Sequence, residues 1–380
     1  MITAERLNTV QEYYFSKKLR EVRGLVAQGK PIINMGIGSP DLAPAPEVIR
    51  SMQEAILRPG AHQYQSYQGL PELREAFASF YADKFKVALD PLTEILPLMG
   101  SKEGIMHISM AFLNAGDAVL IPDPGYPTYT AVTKLVGATP IMYDLTEEHQ
   151  WLPDLDRLAQ MDLEKVKLMW ISYPNMPTGA RITLEKMKAL VAFVKEHDLL
   201  LVNDNPYSFV LNDTPTSILQ VPGAKEVALE LNSLSKTFNM AGWRVGMVSG
   251  NADHITAVLK IKSNMDSGMF YGVQQGAITA LRSGEEWFKE LDSTYGKRRE
   301  LLFRLVDHIG ATYDRQAAGM FIWAKLPQGA PSSEAFIDRL LHEKDIFIAP
   351  GTIFGQNGEG YIRFSLCVTE EKIKEALGRF

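Results

Sequence analysis

The chain has 380 residues, 46% of them hydrophobic and 22% charged, as expected of a globular protein with two domains or one large one. Its 39 basic and 45 acidic side chains leave a net charge of −6, and without basic runs it is a poor nucleic-acid binder. One cysteine, Cys367, rules out an intrachain disulfide. No Cys/His group has zinc spacing, so no metal is expected, and no apolar run approaches the ~20 residues of a membrane span. Glu5, Arg6 and Glu12 near the start argue against a signal peptide, so the expected location is the cytoplasm.

The opening segment has a helical stretch and then Gly, Asn and Pro punctuation up to Pro44. Gly24 to Lys30 has phosphate-loop spacing, but Pro31 replaces the Ser or Thr that would bind magnesium, which predicts a helix C-terminus instead. Gly36-Ile37-Gly38 lacks the third glycine and the following helix of a dinucleotide fingerprint. A helix is predicted over 70–86, opened by Pro71 and carrying Leu73, Phe77 and Phe80. Strands are predicted at 95–99, 118–121, 139–143, 167–172, 199–203, 227–231 and 245–249, with helices at 102–113, 126–136 and 184–197. This alternation predicts an α/β fold with a mostly parallel sheet covered on both faces. A long helix at 285–309 is followed by strands at 320–324, 346–349 and 361–365 and helices at 332–344 and 369–377, an α+β pattern. The expected division is 1–45 joining a small domain, 46–284 as the large domain and 285–380 as the small one.

Ligands of open parallel sheets bind beyond the carboxyl ends of the strands. Five successive ends here carry polar clusters. They are Gly100-Ser101-Lys102, Pro122 to Tyr126, Tyr173-Pro174-Asn175, Asp204 to Tyr207, and Ser233-Leu234-Ser235-Lys236. Any one alone reads as a turn, but five point to one site. Lys236 lies in a hydroxyl-rich turn with Arg244 close behind. A lysine there can form a Schiff base and an arginine can hold a phosphate, and pyridoxal phosphate (PLP) offers an aldehyde and a phosphate together. Its pyridinium needs a carboxylate, and Asp204 is the acid best placed within the sheet. The helix start at Ser101 and Lys102 offers N–H groups for the phosphate, to which Ser233 and Arg244 add a hydroxyl and a fork. Tyr126 can stack on the ring, while Asn175 and Tyr207 can reach its phenolic oxygen.

These residues resemble the class I/II aminotransferases, the fold type I family of PLP enzymes. The resemblance spans nearly the whole chain, from Asn34-Met35-Gly36-Ile37-Gly38-Ser39-Pro40-Asp41, Tyr64 and Gly69 to Arg74, through Tyr173 to Gly179 and Ser233 to Arg244, to Tyr361-Ile362-Arg363-Phe364-Ser365. It implies a large domain with a mostly parallel seven-stranded sheet between helices and a smaller α+β domain. It implies that Lys236 forms the internal aldimine and then moves protons, that Asp204 pairs with the pyridine nitrogen, and that Tyr207 and Asn175 contact the phenolic oxygen. Tyr126 would stack, and Ser101, Lys102 (by its backbone), Ser233 and Arg244 would hold the phosphate. Tyr64 would reach the phosphate of a neighbouring subunit, which makes a homodimer with shared sites. Arg363 would bind the substrate α-carboxylate, helped by Asn175 and the backbone at Gly38. Met176 stands where many relatives have a second Asn, a position not expected to touch the cofactor.

The expected activity is ping-pong exchange of an amino group between an L-amino acid and a 2-oxo acid, with 2-oxoglutarate as acceptor by family analogy. A lyase or racemase on the same scaffold, or a PLP-binding sensor module, are the alternatives. With no second arginine found for a distal carboxylate, and Tyr13, Tyr14 and Phe15 placed to close over the substrate, the reading leans to neutral amino acids, with a diaminopimelate-type or aspartate-type donor left open.

Overall fold

The computed structural model describes residues 3–380, so the segment expected over 1–45 is seen from its third residue. A short strand, β1 (Ile33–Asn34), precedes the central sheet. The sheet's strands are β2 (Ile95–Leu98), β3 (Ala118–Asp123), β4 (Thr139–Asp144), β5 (Val166–Ile171), β6 (Leu200–Asp204), β7 (Ala228–Ser233) and β8 (Gly246–Gly250). Their order is β2-β8-β7-β6-β5-β3-β4. Only β8 runs against its neighbours, antiparallel to both β2 and β7. The carboxyl ends of β2, β7, β6, β5 and β3 therefore share one edge.

β3, β6 and β7 are buried along their whole length, as helices on both faces require of a parallel sheet. Alternate residues feed two separate apolar layers. Leu120, Met169 and Leu201 pack on one face, and Val119, Trp170 and Val202 on the other. The helix Pro71–Lys84 covers the first face and Ser101–Phe112 the second.

The C-terminal strands are β9 (Thr312–Tyr313), β10 (Phe321–Lys325), β11 (Ile346–Phe347), β12 (Ala349–Pro350) and β13 (Tyr361–Ser365). The single strand expected over 346–349 is split in two. β11 pairs in parallel with β1, whereas β12 joins the antiparallel order β12-β13-β10-β9. The β1–β11 pairing and the bond from Ser365 N to Met35 O at 2.7 Å bring Gly36 and Gly38 beside β13. Arg298, on the long helix Glu285–Ile309, grips both oxygens of Asp41 at 2.7 and 2.9 Å. Among the described residues no helix is long and apolar enough to cross a membrane.

Candidate active site

A cavity of about 540 Å³ opens at the shared edge of the strands. Ser101, Lys102, Tyr126, Asp204, Ser233 and Lys236 reach its wall from the strand ends, joined by Tyr207 and Arg244. Gly38 and Arg363 close the opposite side, and Tyr13 and Phe15 line it from the N-terminal segment.

Lys236 sits on a one-turn helix, Leu234–Thr237, that continues β7. Ser233 caps that turn by accepting from Ser235 N at 3.1 Å. The Lys236 ammonium donates to the carbonyl of Gly38. Burial, with Arg363 and Arg244 nearby, pushes its pKa down to about 8. Roughly a tenth of this side chain is then free amine at pH 7, far more than for an ordinary lysine.

Asp204 ends β6 and is buried. Its Oδ2 accepts from Tyr129 Oη at 2.8 Å, while Oδ1 has no hydrogen-bond partner among the described residues. Burial pushes its pKa up to about 6, against the lowering effect of the Tyr129 bond. Tyr129 is itself stacked on Trp170 at 4.8 Å and meets the Tyr126 ring edge-on. A buried carboxylate oxygen without a partner at a cavity wall suits a protonated ring nitrogen.

At the other side of the wall, Gly100 takes φ +87° and opens the helix Ser101–Phe112. A Cβ at position 100 would collide with the Arg244 guanidinium. Arg244, itself at φ +57°, is anchored by Ala241 O at 3.0 Å and reaches Ser235 Oγ at 3.5 Å. Free helix N–H groups, two serines and a guanidinium make an anion cradle.

Arg363 is buried on β13. Its Nη2 donates to Gly36 O at 2.9 Å and its Nη1 to Met176 Sδ at 3.3 Å. Its guanidinium lies 3.9 Å from the Phe321 centroid, 4.6 Å from Phe354 and 5.7 Å from Phe15. Burial pushes its pKa down to about 10. A Cβ at Gly38 would strike the Phe321 ring, so this plate can lie flat only against glycine.

Two expected residues are not in the wall. Asn175 is buried behind it, its Oδ1 accepting from Thr178 N at 3.2 Å and Thr178 Oγ1 at 2.8 Å. Tyr64 is 90% exposed and far from enclosure. Sequence reasoning missed Ser235, Tyr129 and Met176 as site residues. Of these only Ser235 carried a signal, the hydroxyl-rich turn around Lys236. Outside the wall, Glu103, His107 and Asp266 bring ligand-type atoms within 4.8 Å of one another. Both Asp266 oxygens already accept from Lys262 Nζ, at 2.8 and 2.7 Å.

Residues 30–380 match the family profile described as aminotransferase class I and II. The chain belongs to this family. It is 42% identical over 378 residues to an LL-diaminopimelate aminotransferase of Aquifex aeolicus, covering 99% of this chain and 97% of that one. Among solved structures it resembles substrate-bound BacF of Bacillus subtilis, with a TM-score of 0.95 and 34% identity over 100% of this chain and 97% of that one. An aminotransferase of Staphylococcus aureus gives 0.90 and 32%, covering 99% and 98%. This class I/II aminotransferase is a PLP-dependent enzyme that exchanges an amino group between an amino acid and a keto acid. When bound, PLP supplies an aldehyde that takes up the amino group and an electron-poor ring that accepts the electron pair left at Cα.

Proposed function

We propose that the enzyme takes a dicarboxylic L-amino acid of the diaminopimelate type as donor and 2-oxoglutarate as acceptor. Lys102 carries this reading. It was expected to serve by its backbone alone, yet its side chain lines the cavity with the ammonium 5.1 Å from the Tyr13 centroid. Partial burial and Arg244 pull its pKa down. Arg363 and Lys102 are thus two cations for two carboxylates, which answers the missing second arginine. The relatives named LL-diaminopimelate aminotransferase support the same choice.

In this reading Asp204, with its unpartnered Oδ1, would hold the cofactor's ring nitrogen in its protonated form. Tyr126 would stack on the ring and Tyr207 would hold its phenolic oxygen, while Asn175, behind the wall with its Oδ1 engaged by Thr178, is not assigned that role. Ser101, the Lys102 backbone, Ser233 and Arg244 hold the phosphate. Lys236, as the free amine, would hold the cofactor through its aldehyde and, once released, would be the base that takes and returns the proton at the substrate Cα. Arg363 orients the α-carboxylate in both half-reactions, which share one site. Gly38 O is engaged by Lys236, so it is the Gly38 N–H that could donate to the substrate carboxylate.

Tyr64 serves the site of a second copy of the chain. Its exposure, and that of Leu57 (83%), Met265 (58%) and Phe270 (42%), supports a homodimer that covers this surface. His62 stacks on Phe270 at 6.1 Å, so the two loops form one patch. We assign the described part of 1–45, together with 285–380, to the small domain and 46–284 to the large one, and place the enzyme in the cytoplasm. A core shared by Phe15, Ile33 and Met35 with Ile322, Phe347 and Phe364 supports that grouping.

The test is to add single amino acids to the PLP-loaded protein without an oxo acid and follow the cofactor's visible band and the oxo acid released. LL-diaminopimelate should discharge the band more readily than L-leucine, and Lys102→Gln should erase that preference. Equal response to both, or an unchanged preference in the variant, would overturn the dicarboxylate reading. Release of ammonia would point to a lyase.

A further inference from the structure

Arg363 is seated in a way that a buried cation rarely is. Buried charges are normally paired with an opposite charge. Here the guanidinium has a carbonyl on one side, Gly36 O, and a thioether on the other, Met176 Sδ. Its Nε is buried with no hydrogen-bond partner among the described residues. Aromatic rings cover its faces, with Phe321 nearest. Among the described residues only two of its five N–H donors are engaged, one of them by sulfur, a weak acceptor.

Met176 is 7% exposed and lines the cavity next to the buried Asn175. Its sulfur can fix the angle of the fork without satisfying its charge. An amide oxygen at this place would hold the guanidinium more firmly, and an incoming carboxylate would have to displace it. A side chain without any acceptor would leave the fork free to swing about its long stem. A polarizable thioether lies between these extremes.

We propose that Met176 is a positioning residue that holds Arg363 aimed at the substrate α-carboxylate while leaving it underpartnered, and so sets affinity for both substrates. The proposal rests on the assignment of the α-carboxylate to Arg363. Amino donor and oxo acceptor present the same carboxylate, so their affinities move together. Lys236 and Asp204 lie elsewhere in the wall, so the chemical step does not move.

The experiment compares the holoenzyme with Met176→Leu, which nearly conserves volume, and Met176→Gln, which adds a strong acceptor of similar length. KM and kcat are measured for both substrates, together with the dissociation constant of glutarate, an unreactive dicarboxylate. Met176→Leu should raise both KM values and weaken glutarate about three- to fivefold with kcat unchanged, the scale of one modest hydrogen bond. Met176→Gln should weaken them further, about tenfold, because its oxygen competes with the substrate. If Gln does not fold, Leu decides alone. KM values and glutarate affinity unchanged in Met176→Leu, or a loss confined to kcat, would overturn the proposal. Arg363→Lys separates the two layers. If it leaves KM and glutarate binding intact, the carboxylate assignment fails and Met176 falls with it. If it weakens both while Met176→Leu does not, only the Met176 proposal fails. In the Arg363→Lys background, Met176→Leu should add little, the non-additivity expected of a residue acting through another.

Discussion

The two ends of the cavity hold their buried charges by opposite means. At the sheet edge, Asp204 is oriented by one good hydrogen bond from Tyr129 and backed by a stacked Trp170. At the far end, Arg363 has one backbone acceptor, Gly36 O, and is otherwise cushioned by Phe321, Phe354 and a thioether. The first arrangement fixes a group that must keep one geometry against a cofactor. The second leaves a group underpartnered so that a substrate that comes and goes can complete it. Rigidity comes from oxygen and nitrogen contacts, and exchangeability from soft ones.

The sharpest way to break the sheet-edge half is Lys236→Ala. Nucleophile and proton carrier go together, and kcat should fall by about four orders of magnitude or more. Near-normal turnover would remove Lys236 from the mechanism. Asp204→Asn should cut kcat by about two to three orders of magnitude, yet it should stabilise the cofactor-free chain. Asp204 titrates near 6 in the fold against an ordinary 3.8, because burial opposes its charge. The folded state therefore binds this proton more tightly than the unfolded chain. Stability falls as pH rises from about 4 to about 6 and stays lower above that, by a cost on the order of 3 kcal/mol. Thermal melts of the apo proteins should show Asn above wild type at pH 8 and the two converging near pH 4. A variant less stable than wild type at pH 8 would mean that Asp204 is not held as a strained anion.

The same contrast explains what could be read from sequence. Each strand of the central sheet appears within a residue or two of where its apolar run predicted, and for the inner strands this is because burial on both faces leaves an uninterrupted apolar signature. Ser101, Tyr126, Asp204, Ser233 and Lys236 were legible because strand ends are local features and share one edge. Met176 was not, since it meets Arg363 across 187 residues of chain, and the Phe321–Phe354 seat was not, since it depends on how the short strands around β13 pair and turn. Tyr129 looked like one more helical aromatic. The helix Tyr271–Leu281 was passed over because Gly272 and Gly276 weaken its helical signal. In the fold those glycines admit the close approach of Ile56 and Trp243, where a Cβ would clash. The strand over 346–349 was one apolar run in sequence, but its halves answer to different partners.

The anion cradle gives a smaller test of the rigid end. Gly100→Ala places a Cβ against Arg244 at a backbone angle that L side chains avoid, a strain of about 1–3 kcal/mol. PLP should bind at least about tenfold more weakly, with kcat at saturating cofactor little changed. Unchanged PLP affinity would show that Arg244 can hold the phosphate from another position.

The mildest test is Tyr129→Phe, and it probes the comparison most directly. The change deletes one oxygen and leaves the ring free to stay on Trp170. Asp204 then loses the one side-chain hydrogen bond it has among the described residues, so its pKa should rise further and its carboxylate should sample more than one orientation. The expected cost is about fivefold in kcat, the scale of one hydrogen bond to a partly charged group, with KM for the substrates unchanged. The acid limb of the pH–rate profile should move to higher pH, because protonation of Asp204 becomes easier. If kcat holds and KM rises instead, Tyr129 serves the substrate rather than the carboxylate. The division between a rigid cofactor end and a soft substrate end would then not hold in this cavity.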